Sequence, residues 1–149
     1  MVQLAYKLDD DCARVFKEFH QGHKHRAIVF TTNSEDKIVV EETITKKKDG
    51  NAQFEELVAT ILKKWKKSVR MIVLELPGKS RDGRDVEKIF YINWVPDGAK
   101  IKAKMIQASV KAVLFKSLNM TSKINFQIQA SDAGDLELRD LLDKIAQKN

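Results

Sequence analysis

Histidine and cysteine are the side chains here best suited to hold a metal or attack a substrate, and they are few. His20, His23 and His25 lie close together, and the single cysteine, Cys12, stands eight residues before His20. A structural zinc site needs four ligands, usually from two spaced clusters. These histidines straddle an expected helix end and no second cluster follows, so the spacing does not make a zinc site. Gly78-Lys79-Ser80 looks like the tail of a phosphate-binding loop. The glycine that loop requires five residues earlier is Val73, inside an expected strand. Asp132, Asp135, Glu137 and Asp140 lack the spacing of a calcium loop, and Asp135 reads as a helix cap. Cys12 falls on the apolar stripe of a helix, which suits a structural thiol, and no nucleophile elbow is present. The chain is therefore read as a non-enzyme, with no cofactor and no metal.

The remaining chemistry is charge. The 149 residues carry 27 Lys and Arg against 21 Asp and Glu, a net charge of +6. Such a balance favours an acidic partner: a protein, nucleic acid or anionic headgroups. Basic groups fall at Lys46–Lys48, at Lys63, Lys64, Lys66 and Lys67, at Arg81, Arg84 and Lys88, and along the helix that follows Gly98. Nucleic-acid binding on a sheet would need exposed aromatics among the basic residues. Phe90 and Trp94 instead alternate with Ile89 and Ile92 as in a strand buried on both faces, so no nucleic acid is expected as partner. The N-terminus lacks the basic start and apolar core of a signal peptide, and no apolar run is long enough to cross a bilayer. With one cysteine and no disulfide framework, the expectation is a cytoplasmic protein.

The elements that must position these groups follow from periodicity. Cys12, Val15, Phe16 and Phe19 mark a first helix from about Asp10 to Gln21, with Asp9–Asp11 as capping acids. Arg26–Thr31 and Lys37–Ile44 form a hairpin around the polar turn Asn33–Asp36. Asn51 is the expected N-cap of a second helix, whose stripe is Phe54, Leu57, Val58, Ile61, Leu62 and Trp65. Val69–Leu76 and Glu87–Trp94 are strands separated by a charged loop from Pro77 to Asp85. Ile124–Ala130 alternates as a further strand, and Asp135 opens a last helix with Leu138, Leu141, Leu142 and Ile145 inward. The result is one α/β (α+β) domain over residues 1–149, a central mixed sheet of five to six strands sandwiched by helices.

The segment Asn93–Leu118 is the unusual one. After the turn at Pro96, Asp97 and Gly98 it runs as a helix with two apolar stripes. Ala103, Val110, Leu114 and Leu118 fall on one side, and Ile101, Met105, Ala108 and Ala112 fall roughly opposite. The pattern leaves two readings open: a helix buried on both sides, or one stripe buried and the other reserved for a partner.

Around this helix the chain resembles the actin-depolymerising factor/cofilin family. Trp94, Pro96, Asp97, Ala99, Lys102, Lys104, Met105, Ala108, Ser109 and Lys111 match that family's signature of a strand ending in W-x-P-D/E and a K-x-K-M helix. The resemblance implies a single domain that binds actin monomers and promotes filament disassembly by depolymerisation and severing, in the cytoplasm and on the cytoskeleton, as a monomer. The monomer contacts it implies are Leu4, Ala5 and Tyr6 in the N-terminal segment, with Lys102, Lys104, Met105, Ser109, Lys111 and Ala112 on the helix. The filament contacts it implies are Arg81, Arg84 and Lys88 on the strand hairpin, with Asp143, Lys144 and Lys148 at the last helix. Phosphoinositide headgroups are a further implied partner of the basic residues.

The chain departs from the pattern in several places. Val86 and Gln147 stand where basic residues are usual, Gln107 where an aromatic is, and Val110 where a second serine is. Residues Val2–Leu8 contain no Ser or Thr, so a phosphorylation switch there is expected to be missing. Coactosin-like and glia-maturation-factor-like binders, of filaments or of the branch-nucleating complex, are the alternatives within the same fold. A basic phosphoinositide- or nucleic-acid-binding module is the alternative outside it.

Overall fold

Alternation along the strands divides the apolar residues into two sets, one for each face of a sheet. The computed structural model describes residues 6–147. Its elements are β1 (Lys7–Leu8), α1 (Asp11–His20), β2 (His25–Thr32), β3 (Lys37–Thr45), α2 (Gly50–Lys64), β4 (Arg70–Lys79), β5 (Asp85–Trp94), α3 (Ile101–Ser117), β6 (Phe126–Ala130) and α4 (Leu138–Gln147), with 3-10 turns at Met120–Ser122 and Ala133–Leu136. The six strands are ordered β1-β3-β2-β4-β5-β6. The β1–β3 and β5–β6 pairs are parallel and the others antiparallel. Ala27, Val29, Ile72, Leu74, Phe90, Ile92 and Trp94 meet α2 and α4 on one face. Ile28, Phe30, Met71, Val73, Ile89 and Tyr91 meet α1 and α3 on the other. The strand from Ile89 to Trp94 is thus buried on both sides, as its alternation of large residues implies.

Several local expectations are corrected. The charged loop is much shorter than Pro77–Asp85, because β4 and β5 continue to Lys79 and from Asp85. Strand β2 pairs only with Met71–Leu74 of β4. Beyond that point β4 has, among the described residues, a neighbour on one side only, which is where a proline without an N–H is tolerated. The cap of α2 is Asp49, whose Oδ1 accepts from the Ala52 N–H at 3.0 Å, rather than Asn51. Among the described residues no side-chain hydrogen bond caps α1, and Asp11 pairs instead with Arg14 at 3.3 Å. Asp135 lies in the 3-10 turn before α4, where its Oδ2 accepts from the Ser131 N–H at 2.9 Å.

The hairpin turn at Asn33 does form as its composition implies. Asn33 Oδ1 accepts from the backbone N–H groups of Glu35 and Lys37, at 2.9 and 3.1 Å. Gly50 packs so closely under the β4–β5 arm that a Cβ there would lie 2.5 Å from Pro77 Cδ and 2.9 Å from Arg26 Cζ. The absence of a side chain at Gly50 lets the start of α2 support that arm.

Candidate functional site: the outer face of α3

Helix α3 is held from both ends. At its start, buried Trp94 donates from Nε1 to the Trp65 carbonyl at 2.8 Å, tying the end of β5 to the end of α2. The Pro96–Ala99 turn closes with the Ala99 N–H donating to the Pro96 carbonyl at 3.0 Å. At its far end, Asn119 takes a left-handed conformation, φ 51°, which stops the helix. Between these anchors Val110, Leu114 and Leu118 are buried against the sheet, and Ala103 is half-buried.

The second stripe faces outward. Ile101 and Met105 are 75% and 74% exposed, the only large hydrophobic side chains so exposed among the described residues. Ala108 and Ala112 continue the stripe and are also exposed, flanked by exposed Lys102 and Lys116. Of the two readings, burial on one side with a free opposite ridge is therefore the one the fold adopts. Small residues at 108 and 112 keep the ridge low, and Met105 supplies an adaptable contact.

The other monomer-contact candidates are placed differently. Ser109 is half-buried at the edge of the ridge. Lys104 turns back to donate from Nζ to the Asp97 carbonyl at 2.9 Å. Lys111 lies over the rings of Tyr91 and Phe115, at 5.8 and 5.4 Å. Both lysines thus sit on one flank, with their chains spent on internal contacts. Tyr6 is buried among the α1/α3 core residues at 9% exposure. Leu4 and Ala5 lie outside the described residues.

The filament-contact candidates gather at the opposite end of the molecule. Arg81 and Arg84 occupy the tip between β4 and β5, where Gly83 has φ +85° and the Ser80 N–H donates to the Arg84 carbonyl at 2.9 Å. Arg84 Nε pairs with Asp82 Oδ2 at 2.9 Å, which leaves Arg81 as the outward cation of the tip. Lys88 is half-buried on β5, whereas Asp143 and Lys144 are exposed on α4. A groove of about 680 Å³ separates arm from helix, lined by Pro77, Gly78, Val86, Leu142, Asp143 and Ala146 among others. Val86, at the position where the pattern would place a cation, packs toward the α2/α4 core. Lys148 lies outside the described residues.

A largely buried polar network ties this arm to β2 and to the start of α2, and periodicity gives no sign of it. Arg26 is 2% exposed. It donates to Gln53 Oε1 at 2.9 Å, to the Glu75 carbonyl at 2.8 Å, to the Lys47 carbonyl at 2.9 Å and to Glu87 Oε1 at 3.4 Å. Lys46 Nζ bridges Glu75 Oε1 and Glu87 Oε2, at 2.7 and 2.5 Å. The available signal was the presence of charges, Arg26 and Glu75, inside otherwise apolar strand runs.

Burial by itself would raise the Glu87 carboxyl, but the bonds from Lys46 and Arg26 outweigh it and hold Glu87 below its ordinary 4.5. Lys46 is conversely raised above 10.5, burial opposing and the two carboxylates prevailing. The Glu87 contribution is thus present above about pH 4.5 and is lost as pH falls through the lowered folded value. The Lys46 contribution is present below 10.5 and is lost as pH rises past the raised value. Thermal melts taken from pH 7 down to about pH 3 are expected to show a smaller acid loss for Glu87→Gln than for the parent protein. Equal losses would remove Glu87 from the account.

The three histidines take separate surroundings. His25 Nε2 meets Glu18 Oε1 at 2.9 Å, and His23 Nδ1 meets Glu75 Oε1 at 3.3 Å. His20 stacks on Phe16 with centroids 6.1 Å apart. No group of three or more His, Cys, Asp or Glu is placed to hold a metal among the described residues. Cys12 is fully buried, its Sγ 3.2 Å from the Ile38 carbonyl, and burial pushes the thiol up to about 11.

The family model for cofilin/tropomyosin-type actin-binding proteins matches residues 5–146. The chain belongs to this family. It is 33% identical over 140 residues to an actophorin of Entamoeba histolytica, covering 93% of this chain and 94% of that protein. Its fold superposes on the ADF-like UNC-60A protein of Caenorhabditis elegans with a TM-score of 0.80, at 27% identity, over 96% of this chain and 95% of that one. A coactosin from E. histolytica shares the fold with a TM-score of 0.73 at 17% identity, covering 96% of each chain. The cofilin fold thus accommodates proteins under different names, and the fold alone does not choose among their activities. Among the described residues, no helix is long and apolar enough to cross a membrane.

Proposed function

We propose that this cofilin-family chain binds actin monomers through the outer ridge of α3 and promotes filament disassembly. The observation that carries the reading is the ridge itself: Ile101 and Met105 stand exposed on a helix otherwise packed on the sheet, flanked by Lys102 and Lys116. An apolar helix face with small residues enters a groove, and flanking lysines complement an acidic rim, speeding association more than they deepen affinity. The names of relatives, an actophorin and an actin-depolymerizing factor, support the same assignment.

Disassembly follows if the chain binds one filament twist or nucleotide state better than another. The preferred state then gains population at the expense of ordinary subunit contacts. Arg81, Lys88, Asp143 and Lys144, around the groove between the β4–β5 arm and α4, are the proposed filament contacts. With Val86 and Gln147 in place of cations, this surface carries fewer positive charges to offer the filament.

Co-sedimentation with filaments and a dilution-induced disassembly assay test the proposal. The expected result is a rise in unpolymerised actin at stoichiometric protein. A Lys102→Ala/Lys104→Ala variant of unchanged melting temperature is expected to bind monomer more weakly. Filaments that are bound but keep their mass and critical concentration would favour a coactosin-like binder instead.

A further inference from the structure

A second cleft lies behind the inner edge of α3, away from the exposed ridge. Its roof is Ala103, Ile106, Gln107 and Val110 of the helix, and its floor is the end of β2 and the start of β4. Its volume is about 350 Å³. Lys67, Arg70 and Lys100 line it together with the hydroxyls of Thr31, Thr32 and Ser68, and no carboxylate does. Arg70 is already occupied, with Nε 2.5 Å from Glu41 Oε1 and Nη1 donating to the Val69 carbonyl at 2.8 Å. Lys67 and Lys100 are exposed and have no ion pair among the described residues. The turn that bears Lys67 is packed on the turn that leads to Lys100, since a Cβ on Gly98 would lie 3.2 Å from Lys67 Cγ. The Gln107 amide nitrogen, meanwhile, is buried with no acceptor among the described residues.

A cleft with two free ammonium groups, an orphaned amide donor and no acid calls for a ligand rich in acceptors and doubly negative. A carboxylate brings one charge, whereas a phosphate monoester brings about −1.5 to −2 at pH 7 and three strong acceptor oxygens. An unmatched buried donor is costly, so a ligand oxygen at Gln107 removes a penalty as well as adding a contact. We propose that this cleft binds a small soluble phosphate monoester, with Lys67 and Lys100 neutralising its charge and the Gln107 amide donating to one of its oxygens. The space beyond the phosphate admits an organic portion the size of a sugar. Gln107, half-buried, lies off the exposed Ile101–Met105 ridge.

The test is a titration of the full chain with glycerol 3-phosphate, followed by proton–nitrogen NMR at the Gln107 side-chain amide, with glycerol as control. A saturable shift of that amide is expected, absent with glycerol. Lys67→Ala and Lys100→Ala are each expected to weaken binding roughly tenfold, as for the loss of one hydrogen bond to a charged group. Both are exposed positions, and a thermal melt checks that the variants fold. No saturable shift, or one that persists at equal affinity in the double variant, would mean an adventitious ion only and would overturn the site. In a second arm, phosphatidylcholine vesicles doped with a phosphoinositide are offered to the same proteins. Vesicle binding without any response to glycerol 3-phosphate would assign the cleft to a lipid headgroup and overturn the soluble ligand.

Discussion

Met105→Glu is expected to lower affinity for monomeric actin by roughly thirtyfold or more, the range of a central interface residue. The same change is expected to leave the melting temperature within about 2 °C of the parent, as for other surface substitutions. The two halves follow from the same fact, the 74% exposure of Met105. A side chain that touches little in the free protein contributes little to folding, and its loss opens no cavity. On docking, the same position sits in the middle of the ridge from Ile101 to Ala112, where a carboxylate would be stripped of water without a partner. Fluorescence titration against labelled monomer, beside a thermal melt, reads both quantities. Lys104→Ala should weaken binding much less, because Lys104 Nζ is engaged with the Asp97 carbonyl. Unchanged affinity in Met105→Glu would displace the docking face from α3 altogether.

Arg26→Ala is expected to cost about 3–5 kcal/mol of folding stability, the range for removing one member of a buried, hydrogen-bonded charge network. Four acceptors converge on this one guanidinium: Gln53 Oε1, Glu87 Oε1 and the carbonyls of Lys47 and Glu75. Removing it takes a donor from the carbonyls of Lys47 and Glu75, and it strips the Glu87 carboxylate of one of the two cations that offset its desolvation. The exposed pair Arg14–Glu18, at 3.3 Å, makes the contrast. Arg14→Ala should cost far less, since water and salt screen that pair. Chemical denaturation with linear extrapolation separates the two variants. A loss at Arg26 as small as that at Arg14 would show that the network contributes little to folding.

Neither of these effects is equally legible from residue order. The family resemblance is carried by a contiguous run, Trp94 to Lys111, and needs no tertiary knowledge. The strand alternation of Ile89–Trp94 and the single stripe of α2 likewise declare their own burial, because side chains of period two or 3.6 have only one arrangement that removes them from water. The ends of elements were less visible. Pro77 and Gly78 look like loop formers, yet both lie in β4, where the missing neighbour on one side removes the usual objection to proline. Asp49 and Asn51 are both capable caps, and a two-residue difference in where the chain bends decided for Asp49.

Helix α3 divides most clearly between the two sources. By itself the sequence determined that the segment after Gly98 is a helix, that it bears two apolar stripes, and that its residues match one family. Beyond the family resemblance, which put Met105 and Ala112 on the partner side, only the tertiary structure decided which stripe is covered. Periodicity assigns equal claims to Val110 and Leu114 on one side and to Ile101 and Met105 on the other, because a helix has no inside until something packs on it. The sheet supplies that reference: Tyr91, Met71 and Val73 receive Val110 and Leu114, and the Ile101–Met105 ridge is left to face outward. Charge obeyed the same rule. Lys102 and Lys104 are equal in the sequence, but the nearby Asp97 carbonyl draws one inward and leaves the other exposed. Burial depends on what lies across a gap that neighbours in sequence do not span.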